Sequence, residues 1–290
     1  MAEFEFRSDA GPIGGEIRGI DVAKPIGDAT FAEIESIFYR RAVVVFRDQT
    51  LTPTELVAFS RRFGQPQANV RSEIRNAQAP EITLISNIME NGKPIGSHDA
   101  GRYWHSDLCY LDTPSKLTLL HALEVPARDG VGYGDTCFAS ATAACDALPD
   151  DVLHRLEGLK AANSYRYMWN RKAQEFGVRP VLSEQELEKY PPDAIHPVIR
   201  THPATGRKCL YVCEGYTSGI VGIPEAESEE LLRMLFDHAV KPDFIYRHKW
   251  RVGDLLVWDN CAVQHKATFD YPPSLRRRMQ RCTIEGTRPE

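Results

Sequence analysis

No apolar run in the chain approaches the roughly 20 residues that a membrane-crossing helix requires. The opening residues, Met1-Ala2-Glu3-Phe4-Glu5-Phe6, hold neither the basic region nor the apolar stretch of a secretory signal. A cytoplasmic protein is therefore expected, with no membrane partner. Positive charge is not in excess: 35 Lys and Arg stand against 40 Asp and Glu, a net charge of -5. That balance gives no electrostatic footprint for nucleic acid. Paired cysteine spacings are missing too. The 7 cysteines are scattered, and Cys209 and Cys213 are spaced Cys-x-x-x-Cys rather than as the Cys-x-x-Cys of a zinc ribbon or redox pair. An odd number with no export signal points to reduced thiols that are structural or incidental. No internal repeat and no linker-like shift in composition breaks the chain, so residues 1–290 are read as a single domain. At 42% hydrophobic and 26% charged, it has the composition of a globular protein able to bury a sizeable core.

The elements alternate between strand and helix. Gly14 to Asp21 alternates as a strand would, and residues 28–41 place Phe31, Ile34, Ile37 and Phe38 at helical spacing. Val43-Val44-Val45-Phe46 is a β-branched run that reads as a buried strand. Thr52-Pro53-Thr54-Glu55 is a capping box opening a helix that should stop at Gly64. Residues 65–80 and 90–102 read as loops around a strand over residues 81–87. Lys116 to Val125 is a further strand. The glycine-rich stretch Asp129 to Gly134 precedes no clear helix and is weak evidence for phosphate binding. Leu148 to Leu159 and Ser183 to Tyr190 are amphipathic pieces, and Ile195 to Val212 reads as a hairpin turning at Pro203-Ala204-Thr205-Gly206. A helix over Glu225 to Val240 and strands over Phe244 to Trp250, Gly253 to Trp258 and Met279 to Ile284 complete the chain. The expected class is mainly β with inserted helices, a jelly-roll-like double sheet with a pocket between its layers.

The chemistry centres on Trp104-His105-Ser106-Asp107. On a strand, residues separated by one other project from the same face, so His105 and Asp107 would aim a nitrogen and a carboxylate oxygen at one point. The late segment through Trp258-Asp259-Asn260 leads to His265, a third ligand. Two histidines and a carboxylate with an open opposite face suit a non-haem Fe(II) oxygenase. The same three ligands would also serve a zinc hydrolase. Arg281 is a candidate clamp for a carboxylate co-substrate, by its planar fork. Among the other histidines of the 9, His121 reads as a core residue, His154, His238 and His248 as surface positions, and His98 as a candidate to face the pocket.

These residues resemble the taurine dioxygenase / TfdA-type family of Fe(II)- and 2-oxoglutarate-dependent dioxygenases. The similarity runs through Gly15 to Asp21, Arg47-Asp48-Gln49, the Trp104 to Asp107 stretch, Gly134-Asp135-Thr136, His196-Pro197-Val198, Glu214-Gly215-Tyr216 and Trp258-Asp259-Asn260, to His265 and Arg281. The resemblance implies a double-stranded β-helix, with Fe(II) held by His105, Asp107 and His265. It implies 2-oxoglutarate bound by Thr136 and Arg281, with Arg277 in support, and O2 as second co-substrate. The reaction would couple decarboxylation of 2-oxoglutarate to succinate and CO2 with hydroxylation of a small organic, anionic substrate. Desaturation, cyclisation or cleavage of a carbon–heteroatom bond are alternative outcomes. Taurine itself is not expected, because Gly101 stands where taurine-type enzymes carry asparagine and Asn69 falls near their substrate histidine. Tyr110 and Tyr216 would line the substrate side, with Arg71, Arg75 and Arg102 as spare cations. The resemblance further implies a homodimer or homotetramer.

Overall fold

The structure is a computed structural model that describes residues 4–67, 74–177 and 180–290. Its larger sheet runs, in spatial order, through Glu5–Ser8, Gly15–Arg18, Val43–Phe46, Leu255–Asp259, Ser115–Glu124, Arg278–Glu285 and Pro66–Gln67, with Ile82–Ser86 also paired to Arg278–Glu285. Among the described strand pairs of this sheet, Gly15–Arg18 and Val43–Phe46 run parallel and the others antiparallel. The β-branched run is buried on both faces, as its composition predicts. Val44 and Phe46 pack outward against Phe31, Ile34, Phe38, Leu56 and Phe59 of the helices Asp28–Arg41 and Pro53–Ser60. Val43 and Val45 pack inward with Leu120, Leu256, Trp258, Met279, Phe138 and Val263. Phe138 and Val263 belong to a second, three-stranded antiparallel sheet of Ile245–His248, Thr136–Ser140 and Val263–Ala267. The two facing layers form the jelly-roll core, and their inner faces make the site.

The capping box is formed as expected: Glu55 N donates to Thr52 Oγ1 at 3.3 Å, and Thr52 N donates to the Glu55 carboxylate at 2.8 Å. The helix ends at Ser60, ahead of Gly64, because Arg62, Phe63 and Gly64 continue only as tight turns. The predicted hairpin is half right. Ile199–Thr201 pairs with Lys208–Leu210 across the expected turn, but Ala194–Pro197 leaves it to pair with Lys160–Asn163. That strand and the helix Tyr165–Phe176 carry too mixed a pattern to stand out in the sequence. Helix Glu225–Ala239 covers this third sheet through Leu231, Leu232 and Leu235.

His121 is a core residue, its Nε2 at 3.1 Å from Gln49 O. His154 is exposed. His238 and His248 are not at the surface: both are buried, the first against Ala144 O at 2.7 Å and the second against Asp254 at 3.1 Å. Each satisfies its ring with a partner distant in sequence or across a turn, which residue spacing cannot reveal. No helix among the described residues is long and apolar enough to cross a membrane.

Candidate metal and co-substrate site

His265 lies on the strand Val263–Ala267, opposite Phe138. Its ring is wedged against Trp258, centroids 4.8 Å apart, and Phe138, 5.8 Å apart. His105 is not on a strand, contrary to the spacing argument. It makes a single antiparallel bridge to His265, with His105 N donating to His265 O at 3.1 Å and His265 N to His105 O at 2.8 Å. After that bridge the chain turns, and Leu108 takes a positive φ of 57°. Asp107 therefore reaches the common point by a turn rather than by strand alternation. The bridge sets the two imidazoles side by side, centroids 4.1 Å apart. Gly215 is needed behind it: its N donates to Trp104 O at 3.0 Å, and a Cβ there would sit 3.1 Å from that oxygen and 3.2 Å from Tyr103 Cβ.

Hydrogen bonds then orient each donor atom. His105 Nδ1 lies 2.9 Å from both Tyr103 O and His265 O, so it carries the proton, and Nε2 is turned toward Asp107, 3.8 Å from Oδ1. Asp107 Oδ2 accepts from Thr118 Oγ1 at 2.7 Å, and Oδ1 accepts from Arg281 Nη1 at 3.2 Å. Asn260 joins these parts. Its Oδ1 accepts from Trp258 Nε1 at 3.0 Å and Asp107 N at 3.3 Å, its Nδ2 donates to Thr118 at 2.9 Å, and its O accepts from Ser106 Oγ at 2.8 Å. The sequence marked Asn260 only as part of a matching stretch; its role as the hub of this network emerges from tertiary contacts.

Electrostatics fit a cation. Burial pushes the His105 pKa down and the His265 pKa well down, so both rings are neutral with lone pairs to give. Burial acts to raise the Asp107 pKa, but the Arg281 guanidinium, with the hydrogen bond from Thr118, outweighs it and holds the carboxyl below its ordinary value. One donor atom from each of the three residues lies within 4.8 Å of the others, and His265 Nδ1 is buried without a hydrogen-bond partner. Two neutral imidazoles and one ionised carboxylate are a donor set suited to Fe(II).

A cavity opens from this point between the sheets, lined by His105, His265, Trp258, Thr136, Arg277 and Arg281, with His98 at its exposed margin. Thr136 Oγ1 accepts from Trp250 Nε1 at 3.0 Å, and the Arg277 guanidinium lies 5.9 Å from the Trp250 ring centre. Arg277 is buried and donates to Gly134 O, close packing that a side chain on Gly134 would obstruct. Arg281 instead stands beside Asp107. Arg277, expected only in support, thus shares the Trp250 end with Thr136, whereas Arg281, expected as the clamp, borders the Asp107 carboxylate.

A second cavity adjoins the first at His105 and Arg281 and reaches Asp107, lined also by Tyr110, Tyr165, Met168, Lys172 and Tyr216, among others. Tyr110 stacks on Tyr216, centroids 5.1 Å apart. Tyr165, Met168 and Lys172 come from the helix that the sequence reading missed. Lys172 is buried and donates to Asp99 O at 2.8 Å. Asn69 and Arg71 lie outside the described residues. Arg102 is held between the Phe176 and Phe269 rings, at 4.8 and 4.3 Å, and Arg75 bridges Thr83.

A second buried group, His202, Asp259 and Cys261, also brings three donor atoms together. There the atoms already serve one another. His202 Nδ1 accepts from Ala204 N and Thr205 N, both at 3.1 Å, while Nε2 donates to Asp259 at 2.8 Å and Cys261 N donates to the same carboxylate at 2.8 Å. It is a structural network.

Comparison with known proteins agrees with the geometry. Residues 6–283 match the family described as taurine catabolism dioxygenase TauD, TfdA family. The alpha-ketoglutarate-dependent 2,4-dichlorophenoxyacetate dioxygenase of Cupriavidus pinatubonensis is 33% identical over 281 residues, covering 92% of each chain. The pentalenolactone F synthase of Streptomyces arenae is 32% identical over 276 residues, covering 93% of this chain and 91% of that one. Among solved structures, AAD-2 in complex with Mn(II) and N-oxalylglycine superposes with a TM-score of 0.82 at 31% identity, covering 99% of this chain and 98% of that one. Nothing in these matches supports a zinc hydrolase. With its facing sheets and its two histidines beside one carboxylate, the chain belongs to the TauD/TfdA family and is a non-haem Fe(II)- and 2-oxoglutarate-dependent dioxygenase.

Proposed function

We propose that this enzyme oxidises a small anionic organic molecule, with His105, Asp107 and His265 as the iron ligands. The observation that carries the reading is the arrangement around Asp107: a carboxylate held ionised by Arg281 and Thr118, beside two adjoining cavities that share His105 and Arg281. Bound Fe(II), with 2-oxoglutarate and O2, supplies the oxidising power, releasing succinate and CO2. The chain's own residues bind and orient. Thr136 and Arg277 suit the distal carboxylate of 2-oxoglutarate, because a buried planar guanidinium can grip it with two parallel hydrogen bonds. Arg281 fixes Asp107 and presents positive charge to both cavities. Tyr110, Tyr165 and Tyr216 give the substrate side an aromatic wall, and Lys172 with Arg281 gives it cations.

An anionic substrate is further supported by the relatives' names, which include dioxygenases of 2,4-dichlorophenoxyacetate, (S)-phenoxypropionate and a sulfate ester. Hydroxylation next to oxygen or sulfur would lead on to cleavage of the carbon–heteroatom bond. We read the chain as one domain in the cytoplasm, in keeping with its 7 free cysteines, and as a homodimer or homotetramer, which light scattering would measure. The deciding experiment is succinate formation by Fe(II)-loaded protein with 2-oxoglutarate, against phenoxy acids, sulfonates, sulfate esters and amino acids, with a no-substrate control. Succinate above the control for one anionic class supports the reading. Silence across the panel from a protein shown to hold iron overturns it.

A further inference from the structure

Two of the cysteines that composition marks as incidental are neighbours in space. Cys109 Sγ and Cys213 Sγ lie 3.9 Å apart, both buried. With Cys261, Ser106, Gln264, Leu210 and Val263 they line a small, mainly apolar cavity with room for about one water-sized molecule. Cys213 is also the thiol with the most thiolate character. The Cys109 thiol donates to it, and its pKa falls to about 7, with help from the Tyr216 and Ser106 backbone and Thr217. Burial pushes Cys145 and Cys282 up to about 11 and Cys209 up to about 12.

We infer that Cys109 and Cys213 are a modification site, a thiol pair that hydrogen peroxide converts to a disulfide. The Cys213 thiolate attacks peroxide: a sulfur–oxygen bond forms, the oxygen–oxygen bond breaks, and hydroxide leaves. The Cys109 sulfur then displaces the sulfenic hydroxyl, which leaves with the Cys109 proton as water. In total two thiols and one peroxide give one disulfide and two waters. The sulfurs must close from 3.9 Å to about 2.05 Å, a movement shared by two short turns.

Those turns carry the site. Cys109 lies in the turn that begins at Asp107 and continues into Tyr110. Cys213 is tied to Thr217 Oγ1 at 3.0 Å and precedes Gly215, which bonds Trp104 O, and Tyr216, which stacks on Tyr110. A disulfide would pull the Asp107 turn toward the Gly215 segment and shift the carboxylate and both tyrosines. Displacements near 1 Å in such a site cost up to about 100-fold in rate, so succinate formation falls at least about tenfold.

The test uses the freshly reduced full chain, treated with near-stoichiometric hydrogen peroxide in the presence of a chelator, then alkylated under denaturing conditions and mapped by mass spectrometry. The expected result is one cross-linked peptide pair containing Cys109 and Cys213, lighter by two hydrogens, lost on treatment with dithiothreitol and absent from Cys213→Ala. Alkylated, unlinked Cys109 and Cys213, or a link from either to Cys261, overturns the inference. The activity arm rests on the proposed iron site, whereas the peptide map does not. No succinate from the reduced protein counts against the function. Full succinate formation from the mapped disulfide counts against its effect on the site.

Discussion

Giving the grip on 2-oxoglutarate to Arg277 rather than to Arg281 makes a prediction that separates them. The perturbation is Arg277→Met against Arg281→Met. Arg277 is 6% exposed, lines the cavity with Thr136, and is desolvated enough that burial lowers its pKa from the usual arginine value. A hydrogen bond to a charged group contributes about 1.5–3 kcal/mol, and about 1.4 kcal/mol is a factor of ten in binding. Losing the grip on a carboxylate should therefore raise the KM for 2-oxoglutarate about 10- to 100-fold in Arg277→Met. Arg277→Lys recovers part of this, since it keeps the charge but not the fork. In Arg281→Met the 2-oxoglutarate KM changes less, while metal affinity and stability fall, because buried Asp107 loses its cation. The assay is a 2-oxoglutarate titration at saturating Fe(II), reading succinate, with metal binding followed by calorimetry. A large rise in the 2-oxoglutarate KM from Arg281→Met and none from Arg277→Met would refute this assignment and restore Arg281 as the clamp.

His265→Ala should abolish iron-dependent turnover and remove tight metal binding; turnover retained at the wild-type rate would sink the ligand assignment. Asn260→Ala leaves Asp107 N and Trp258 Nε1 without their acceptor and Thr118 without its Nδ2 donor, and should lower metal affinity about 10- to 100-fold, read by metal titration. Lys172→Met should raise the KM for an anionic substrate about tenfold while leaving that for 2-oxoglutarate unchanged, as the loss of one charged hydrogen bond implies; an unchanged substrate KM refutes it. The metal-free protein should lose thermal stability as the pH falls. Burial lowers the pKa values of His105, His121, His196, His248 and His265, so the unfolded chain binds protons first. Their contribution is intact above the unfolded value of about 6.5 and is lost below it. The Asp107 contribution is lost later, from about 3.9 toward its lower folded value. A Tm unchanged between pH 7.5 and 5.5 would contradict this.

What the sequence could reveal of this site follows from how each residue reaches it. Elements buried on a regular face announce themselves: the run from Val43 to Phe46 and the helix bearing Phe31, Ile34, Ile37 and Phe38 were legible because periodicity and burial coincide. The three candidate ligands were legible as residue types, but the geometry behind them was not. His105 and Asp107 look like a strand pair, yet the chain leaves extended structure immediately after the His105 bridge, and the left-handed Leu108 turn has no signal in its residue type. The arginines show the same limit more sharply. Arg277 precedes the strand Arg278–Glu285 and Arg281 lies within it, so both were visible as basic residues near one another. Which one meets Thr136 depends on where the neighbouring sheet places Trp250 and Gly134, residues far away in sequence. Lys172 was hidden for a different reason. Its helix buries Tyr165, Met168, Lys172 and Ala173, so a charged residue sits on the face that meets the cavity, and that face does not read as an apolar stripe in the sequence. If the cavity lined by Tyr165, Met168 and Lys172 takes the substrate, as proposed, substitutions at these three positions should change substrate choice before they change the fold.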